Sequence, residues 1–182
     1  MRERILSAAR EELAYRGLKF SVRELTARLG ISSKTLYQHF ASKEELITAI
    51  TLAEIEEMKR RELAIREDTS LTVAEKLREA LLVLPGSLAV KDFRLLDDLR
   101  RSYPEAWEHA ERYLVEGWRG VEQLVEEGVR EGTIRRFDLD LLIQMYVGST
   151  HRLLEVRSER MTSGEALRNM VDILLDGIRV KN

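Results

Sequence analysis

Four times in this chain a Ser or Thr stands three residues before a Glu at the head of a segment with helical spacing of its apolar residues. The four are Ser21-Val22-Arg23-Glu24, Ser42-Lys43-Glu44-Glu45, Thr72-Val73-Ala74-Glu75 and Thr162-Ser163-Gly164-Glu165. This is the capping-box pattern, in which hydroxyl and carboxylate each satisfy an open backbone donor of the first turn. Gly17, Gly30, Gly132 and Pro85-Gly86 supply matching stops. Strand-type alternation of Val, Ile and Thr is missing, so the chain is expected to be all-α.

About nine helices follow from this punctuation. The first runs to about Arg16 with Ile5, Leu6, Ala8, Ala9 and Leu13 inward, and a short second one carries Val22, Leu25 and Leu29. A third starts near Ser33 and holds Leu36 and Phe40 inward at i, i+4, before the second box opens a long helix to about Arg66. Beyond it, helices are expected from Thr72 to about Leu84, from Lys91 to Ser102, from Pro104 to about Glu131, from Asp138 to about Arg157 and from Thr162 to about Val180.

The 182 residues are enough for one compact unit or two small ones, and 44% hydrophobic with 34% charged residues is too apolar for disorder. With no Cys there is no disulfide, thiolate metal site or Cys nucleophile. The three His lie far apart without ligand spacing, and no P-loop, Gly-x-Ser-x-Gly elbow or dinucleotide fingerprint occurs, so neither a metal, a cofactor nor an enzyme activity is expected. No run of 18 apolar residues is present and the first residues interleave charge with apolar positions, which reads as a cytoplasmic chain with no membrane partner. The formal charge of -2 hides an asymmetry. Residues 1–50 hold nine Lys/Arg against six Glu, whereas the rest holds 21 basic against 26 acidic residues. A basic segment on an acidic body suits a polyanion-binding headpiece.

Two short helices joined by Gly30-Ile31-Ser32-Ser33, the second polar on its outward face, have the organisation of a helix-turn-helix. Ser33, Lys34, Thr35, Tyr37, Gln38 and His39 face outward while Leu36 and Phe40 anchor the helix. Such a face offers hydroxyl, amide and cationic groups to base edges and phosphates. The helix starts near Val22-Arg23 and near Lys43-Glu44 point amides at the same target; because Glu44 and Glu45 oppose an anion, the second start would rely on Lys43. Short polar helices also lie on surfaces without binding anything, so spacing alone leaves a protein-contacting module as the alternative.

The stretch FSVRELTARLGISSKTLYQHFASKEEL resembles the DNA-binding domain of TetR-family (tetracycline-repressor-like) transcriptional regulators, with the spacing of Gly30, Leu36, Tyr37, Phe40, Lys43 and Leu46 retained over about residues 4–50. The resemblance implies a helix-turn-helix domain over 1–47, followed by a larger helical effector-binding and dimerisation domain over 48–182. It further implies a homodimeric repressor that an unidentified small-molecule effector releases from a palindromic operator in double-stranded DNA. Carried over position by position, Ser33, Lys34, Thr35 and Tyr37 align with base or backbone contacts, His39 and Lys43 with phosphate contacts, and Arg23 with a contact from the second helix. The position of Lys34 is often Gly in that family, so Lys34 either reads a base that many relatives ignore or reaches a phosphate.

The last two expected helices are apolar beyond one stripe, which requires two partners. Met145, Gly148, Ser149, Leu167, Met170 and Leu174 are the candidates for a four-helix interface with a second copy. Phe93, Tyr103, Trp107, Tyr113 and Trp118 gather in the middle of the chain, with Trp107 and Trp118 three turns apart on one expected helix. Aromatics at that spacing build a core equally well; the resemblance implies that they line an effector cavity, with Gln144 and His151 as polar candidates there. Leu46 to about Arg66 is the expected lever between the two domains.

Overall fold

The computed structural model describes residues 1–83, 94–155 and 161–180. It contains α1 (Arg2–Arg16), a 3₁₀ turn (Gly17–Lys19), α2 (Val22–Leu29), α3 (Ser33–Tyr37), α4 (Lys43–Glu67) and α5 (Val73–Leu81). These are followed by α6 (Arg94–Ser102), α7 (Pro104–Glu116), α8 (Arg119–Arg130), α9 (Leu139–Glu155) and α10 (Ser163–Ile178). Among the described residues there is no strand, only an isolated antiparallel bridge between Ile134 and Arg179. The all-α expectation is thus borne out.

Three of the four capping boxes close reciprocally, at Ser21–Glu24, Thr72–Glu75 and Thr162–Glu165. The fourth is shifted. Ser42 Oγ accepts the Glu45 N–H at 3.1 Å, but the Glu45 carboxylate accepts from Ala41 N–H, one residue upstream of the position the box predicts. The turn after α2 needs Gly30: its φ of 66° is left-handed, and it lets Ile31 N–H reach back to Thr26 O at 3.1 Å in a Schellman-type closure.

The expected continuous helix from Pro104 to about Glu131 is corrected to two, broken at Gly117-Trp118. Trp118 Nε1–H donates to Leu114 O at 2.9 Å, taking the carbonyl that a continuing helix would offer to the Trp118 amide, next to a residue of poor helix propensity. Trp107 and Trp118 therefore do not share one helix face. The helix from Thr72 ends at Leu81, short of the expected Leu84, while the start of the Lys91–Ser102 helix and the last residues expected before Arg157 lie outside the described residues.

The described residues pack as two compact units, one of 1–57 with 94–113 and one of 58–83 with 114–155 and 161–180. In the first, Ile5, Leu25, Leu36, Phe40 and Leu46 are completely buried and the core extends to Leu99 of α6 and Ala106 of α7. In the second, Leu77 and Leu81 of α5 meet Leu124 of α8, Tyr146 of α9 and Val171 and Leu175 of α10.

Tyr146 anchors the second core. Its hydroxyl donates to Leu81 O at 2.6 Å, and the Trp118 ring meets it edge-on with centroids 5.4 Å apart. Burial pushes the phenol up to about 12, from an ordinary value near 10. The folded state holds the proton more tightly than the unfolded chain, so this contribution is complete below about pH 10 and is lost as pH rises through about 12, to the extent of roughly 2–3 kcal/mol. Denaturant melts between pH 9 and 12 are expected to show this extra alkaline loss in the wild type and not in Tyr146→Phe.

Candidate nucleic-acid interface

The headpiece is held by its core and by an ion-pair clasp between α1 and α2. Arg28 of α2 donates to Glu12 Oε1 at 3.0 Å and also to Glu11, while Arg16 pairs with Glu24 at 2.6 Å and with Glu12 at 3.3 Å. Glu12 is buried between two guanidiniums that compensate its charge, with Oε1 hydrogen-bonded by Arg28 and Oε2 3.3 Å from Arg16 Nε without a hydrogen bond. The Arg16 guanidinium, and then the Ser21 hydroxyl, hold the Glu24 carboxyl below its ordinary range. Arg10 Nε donates to the buried Glu54 at 2.7 Å. Arg2 stacks on the Phe40 ring at 4.7 Å.

This clasp redistributes the charge. Of the nine cations in residues 1–50, Arg10, Arg16, Arg28 and Lys43 are engaged inside the headpiece. Glu11, Glu12 and Glu24 are neutralised by the same contacts. Arg4, Lys19, Arg23 and Lys34 are exposed and carry no side-chain hydrogen bond or ion pair among the described residues. Outside these contacts residues 1–50 keep Arg2, Arg4, Lys19, Arg23 and Lys34 against Glu3, Glu44 and Glu45, so the pairing does not raise the positive excess; it decides which cations stay open to solvent.

α3 is five residues long and is capped by Ser32, whose Oγ accepts the Thr35 N–H at 3.0 Å and lies 2.9 Å from the Thr35 hydroxyl. Ser33, Lys34, Gln38 and Tyr37 are exposed, the last at 47%, while Thr35 and His39 are half-buried. Phe40 lies just past the helix, its N–H bonded to Leu36 O at 3.0 Å, so the anchor is a tight turn and not a further helical turn. Arg23 stands exposed in the first turn of α2. Lys43 differs from these: it is half-buried, and its ammonium donates to Leu18 O and Phe20 O. At the start of α4 the Glu44 carboxyl is held low by its own backbone N–H and by the Ser42 hydroxyl.

The body residues separate. Phe93 lies outside the described residues, and His151 falls on α9 with its side chain outside them. Tyr103 and Trp107 pack against the first core and Tyr113 is half-buried in that unit, whereas Trp118 packs into the second core and Gln144 is exposed on α9. The structure thus does not gather the expected aromatic set in one unit.

On α9 and α10, Met145 is 49% exposed, Gly148 has open space beside its Cα and Ser149 is exposed; Met170 and Leu174 are half-buried. Leu167 is corrected: it is 5% exposed and belongs to its own unit's core, leaving little surface for a partner. Leu141 at 54% and Ile173 at 72% exposure extend the apolar surface and were not singled out by sequence. The signal for Leu141 was its i, i+4 spacing to Met145. Ser32 was equally legible as a cap from its spacing to Thr35, whereas the Arg28 clasp spans two helices and leaves no local pattern.

Residues 5–50 match the family model for bacterial regulatory proteins of the tetR family. Over 181 residues the chain is 33% identical to the HTH-type transcriptional regulator YvaF of Bacillus subtilis, covering 98% of this chain and 95% of that protein. The fold is similar to that of a transcriptional regulator of Saccharomonospora viridis solved in complex with choline, with a TM-score of 0.79 at 20% identity over 100% of this chain and 98% of the other. It is also similar to a TetR-family regulator from Agrobacterium tumefaciens, with a TM-score of 0.74 at 15% identity over 98% and 97% of the two chains.

Proposed function

We propose that this chain, which belongs to the TetR family of DNA-binding transcriptional regulators, acts as a homodimeric repressor that a small-molecule effector releases from a palindromic operator. The observation that carries the reading is the division within and around α3: Leu36 and Phe40 are completely buried while Ser33, Lys34, Tyr37 and Gln38 stand exposed. A rigid anchor with a free polar face is what base reading requires. Arg23, Ser33, Lys34, Thr35, Tyr37, Gln38 and His39 are the assigned contacts.

The division of labour falls at about residue 47, with 1–47 reading DNA and 48–182 taking the effector and forming the dimer. Homodimerisation is supported by the exposed apolar residues Leu141, Met145 and Ile173 on α9 and α10, since a closed two-fold interface would bury them on both copies at once. A small-molecule effector is supported by the likeness to the regulator solved with choline; Trp118, Gln144 and His151 are its candidate contacts. α4 contributes to both compact units, which suits it as the lever. Release then requires that the effector bind the DNA-incompetent conformation more tightly than the competent one.

Lys34→Ala and Tyr37→Ala test the reading face. Both residues are exposed, so thermal melts are expected to stay at wild-type values while operator affinity falls by about tenfold or more, in line with roughly 1–3 kcal/mol per base contact. Fluorescence anisotropy on the operator measures this. Wild-type affinity in both variants would contradict the assigned face.

A further inference from the structure

Lys43 is the first residue of α4, and its side chain is turned into the headpiece. Nζ donates to Leu18 O and to Phe20 O, each at 2.7 Å, and stands 4.6 Å from the centre of the Phe20 ring. An ammonium has three donors. Two are spent on carbonyls, and the charge is further stabilised by the ring face. Withdrawal from water lowers the pKa of this amine.

Leu18 O lies within the 3₁₀ turn, which closes from Phe20 N–H to Gly17 O, and Phe20 O immediately precedes Ser21, the residue that caps α2. Phe20 itself is 1% exposed, so the point of attachment is fixed by the core. The Lys43 contact therefore connects the start of α4 to the start of α2, where Arg23 is exposed without a side-chain partner among the described residues. The Arg23 guanidinium has no side-chain partner among the described residues, whereas the Lys43 ammonium has one donor left and would have to give up its two short hydrogen bonds to swing out of the headpiece toward a phosphate. Charge-assisted bonds of this kind are costly to break.

We infer that Lys43 is a positioning residue, pinning α4 to the turn before α2 and so fixing where Arg23 meets the DNA backbone, and that it holds no phosphate itself. This rests on the reading that the headpiece binds duplex DNA through α2 and α3. It removes Lys43 from the phosphate contacts that family resemblance implies.

Two experiments test it, both using random-sequence duplexes at low salt, since phosphate contacts do not depend on sequence. In the first, the wild-type protein is acetylated with and without duplex and each lysine is followed by mass spectrometry. Lys43 is expected to react about tenfold or more slowly than Lys34 in the free protein, because its nitrogen is half-buried and held against two carbonyls and the Phe20 ring whereas Lys34 is exposed, and the duplex is expected to leave its rate unchanged. A Lys43 rate that equals that of Lys34, or that the duplex lowers, would overturn the inference.

In the second, Lys43→Met and Arg23→Ala are titrated at several salt concentrations, at a temperature where circular dichroism shows each fully folded. Arg23→Ala is expected to lower the slope of log affinity against log salt by about one per subunit. Lys43→Met is expected to bind several-fold more weakly with the wild-type slope. A Lys43→Met slope reduced like that of Arg23→Ala, or wild-type affinity, would overturn the inference. Should Lys43→Met fail to fold, the acetylation of the wild type still decides. Absence of duplex binding by the wild type would sink the DNA-binding reading instead, and the acetylation rates of the free protein would still test the pin.

Discussion

Replacing Phe40 with alanine is expected to cost about 3–5 kcal/mol, the range for deleting a fully buried aromatic side chain. Phe40 is completely buried, and it locks the turn that ends α3 against the core formed with Ile5, Leu25 and Leu46. It also supplies the ring on which Arg2 stacks. Against a total stability of roughly 5–15 kcal/mol for a domain, the loss removes a large share of the folded headpiece. Guanidinium melts are expected to show it directly, and operator binding at 37 °C is expected to vanish with it. Phe40→Leu, which keeps most of the volume, is expected to cost less than Phe40→Ala. A cost below about 1 kcal/mol for Phe40→Ala would mean that α3 is held by something other than this core.

The second large effect is expected at the opposite end of the chain. Met145 and Ile173 are exposed on α9 and α10, so a carboxylate at either position is hydrated in a lone subunit and leaves its melt unchanged. In a two-fold interface the same carboxylates would be buried without partners, at several kcal/mol each. The wild type is expected to sediment as a dimer, and Met145→Glu combined with Ile173→Glu as a monomer. Operator affinity is expected to fall by about a hundredfold or more, because the second half-site is no longer delivered at high effective concentration. A double variant that stays dimeric would place the interface elsewhere on the subunit.

Much of the fold was legible because its signals are local. The boxes at Ser21, Thr72 and Thr162 needed only four residues each to declare a helix start, and all three form. The outward face of α3 was legible for the same reason: Leu36 and Phe40 fix which side is buried, and Ser33, Lys34, Tyr37 and Gln38 follow, while Thr35 and His39, expected outward, are half-buried. What sequence did not carry was contact between elements. The break at Gly117-Trp118 depends on an indole finding a carbonyl of the preceding turn, and the burial of Leu167 depends on how α10 rotates against its neighbours.

The candidate site shows the same split. Ser33, Lys34, Tyr37 and Gln38 stand exposed as the periodicity predicts. The engagement of Lys43 with Leu18 and Phe20, 25 and 23 residues away, has no trace in its spacing. Of the two partners of Glu12, Arg16 stands at i+4 on the same helix and is readable from spacing, whereas Arg28 on the next helix is not. Charge counting alone treats all nine cations of the headpiece as equivalent, whereas Arg4, Lys19, Arg23 and Lys34 are the ones exposed without a side-chain partner among the described residues.

In the proposed function the headpiece reads a two-fold DNA sequence through paired α3 faces. Selection from a pool of random duplexes with the purified protein, sequenced at two salt concentrations, tests it most directly. The expected result is an enriched palindrome with half-sites about one helical turn apart or slightly more, bound more weakly at the higher salt. Recovery of the unselected pool at both salts would contradict the claim, and α3 would then have to be understood as a surface for protein contacts.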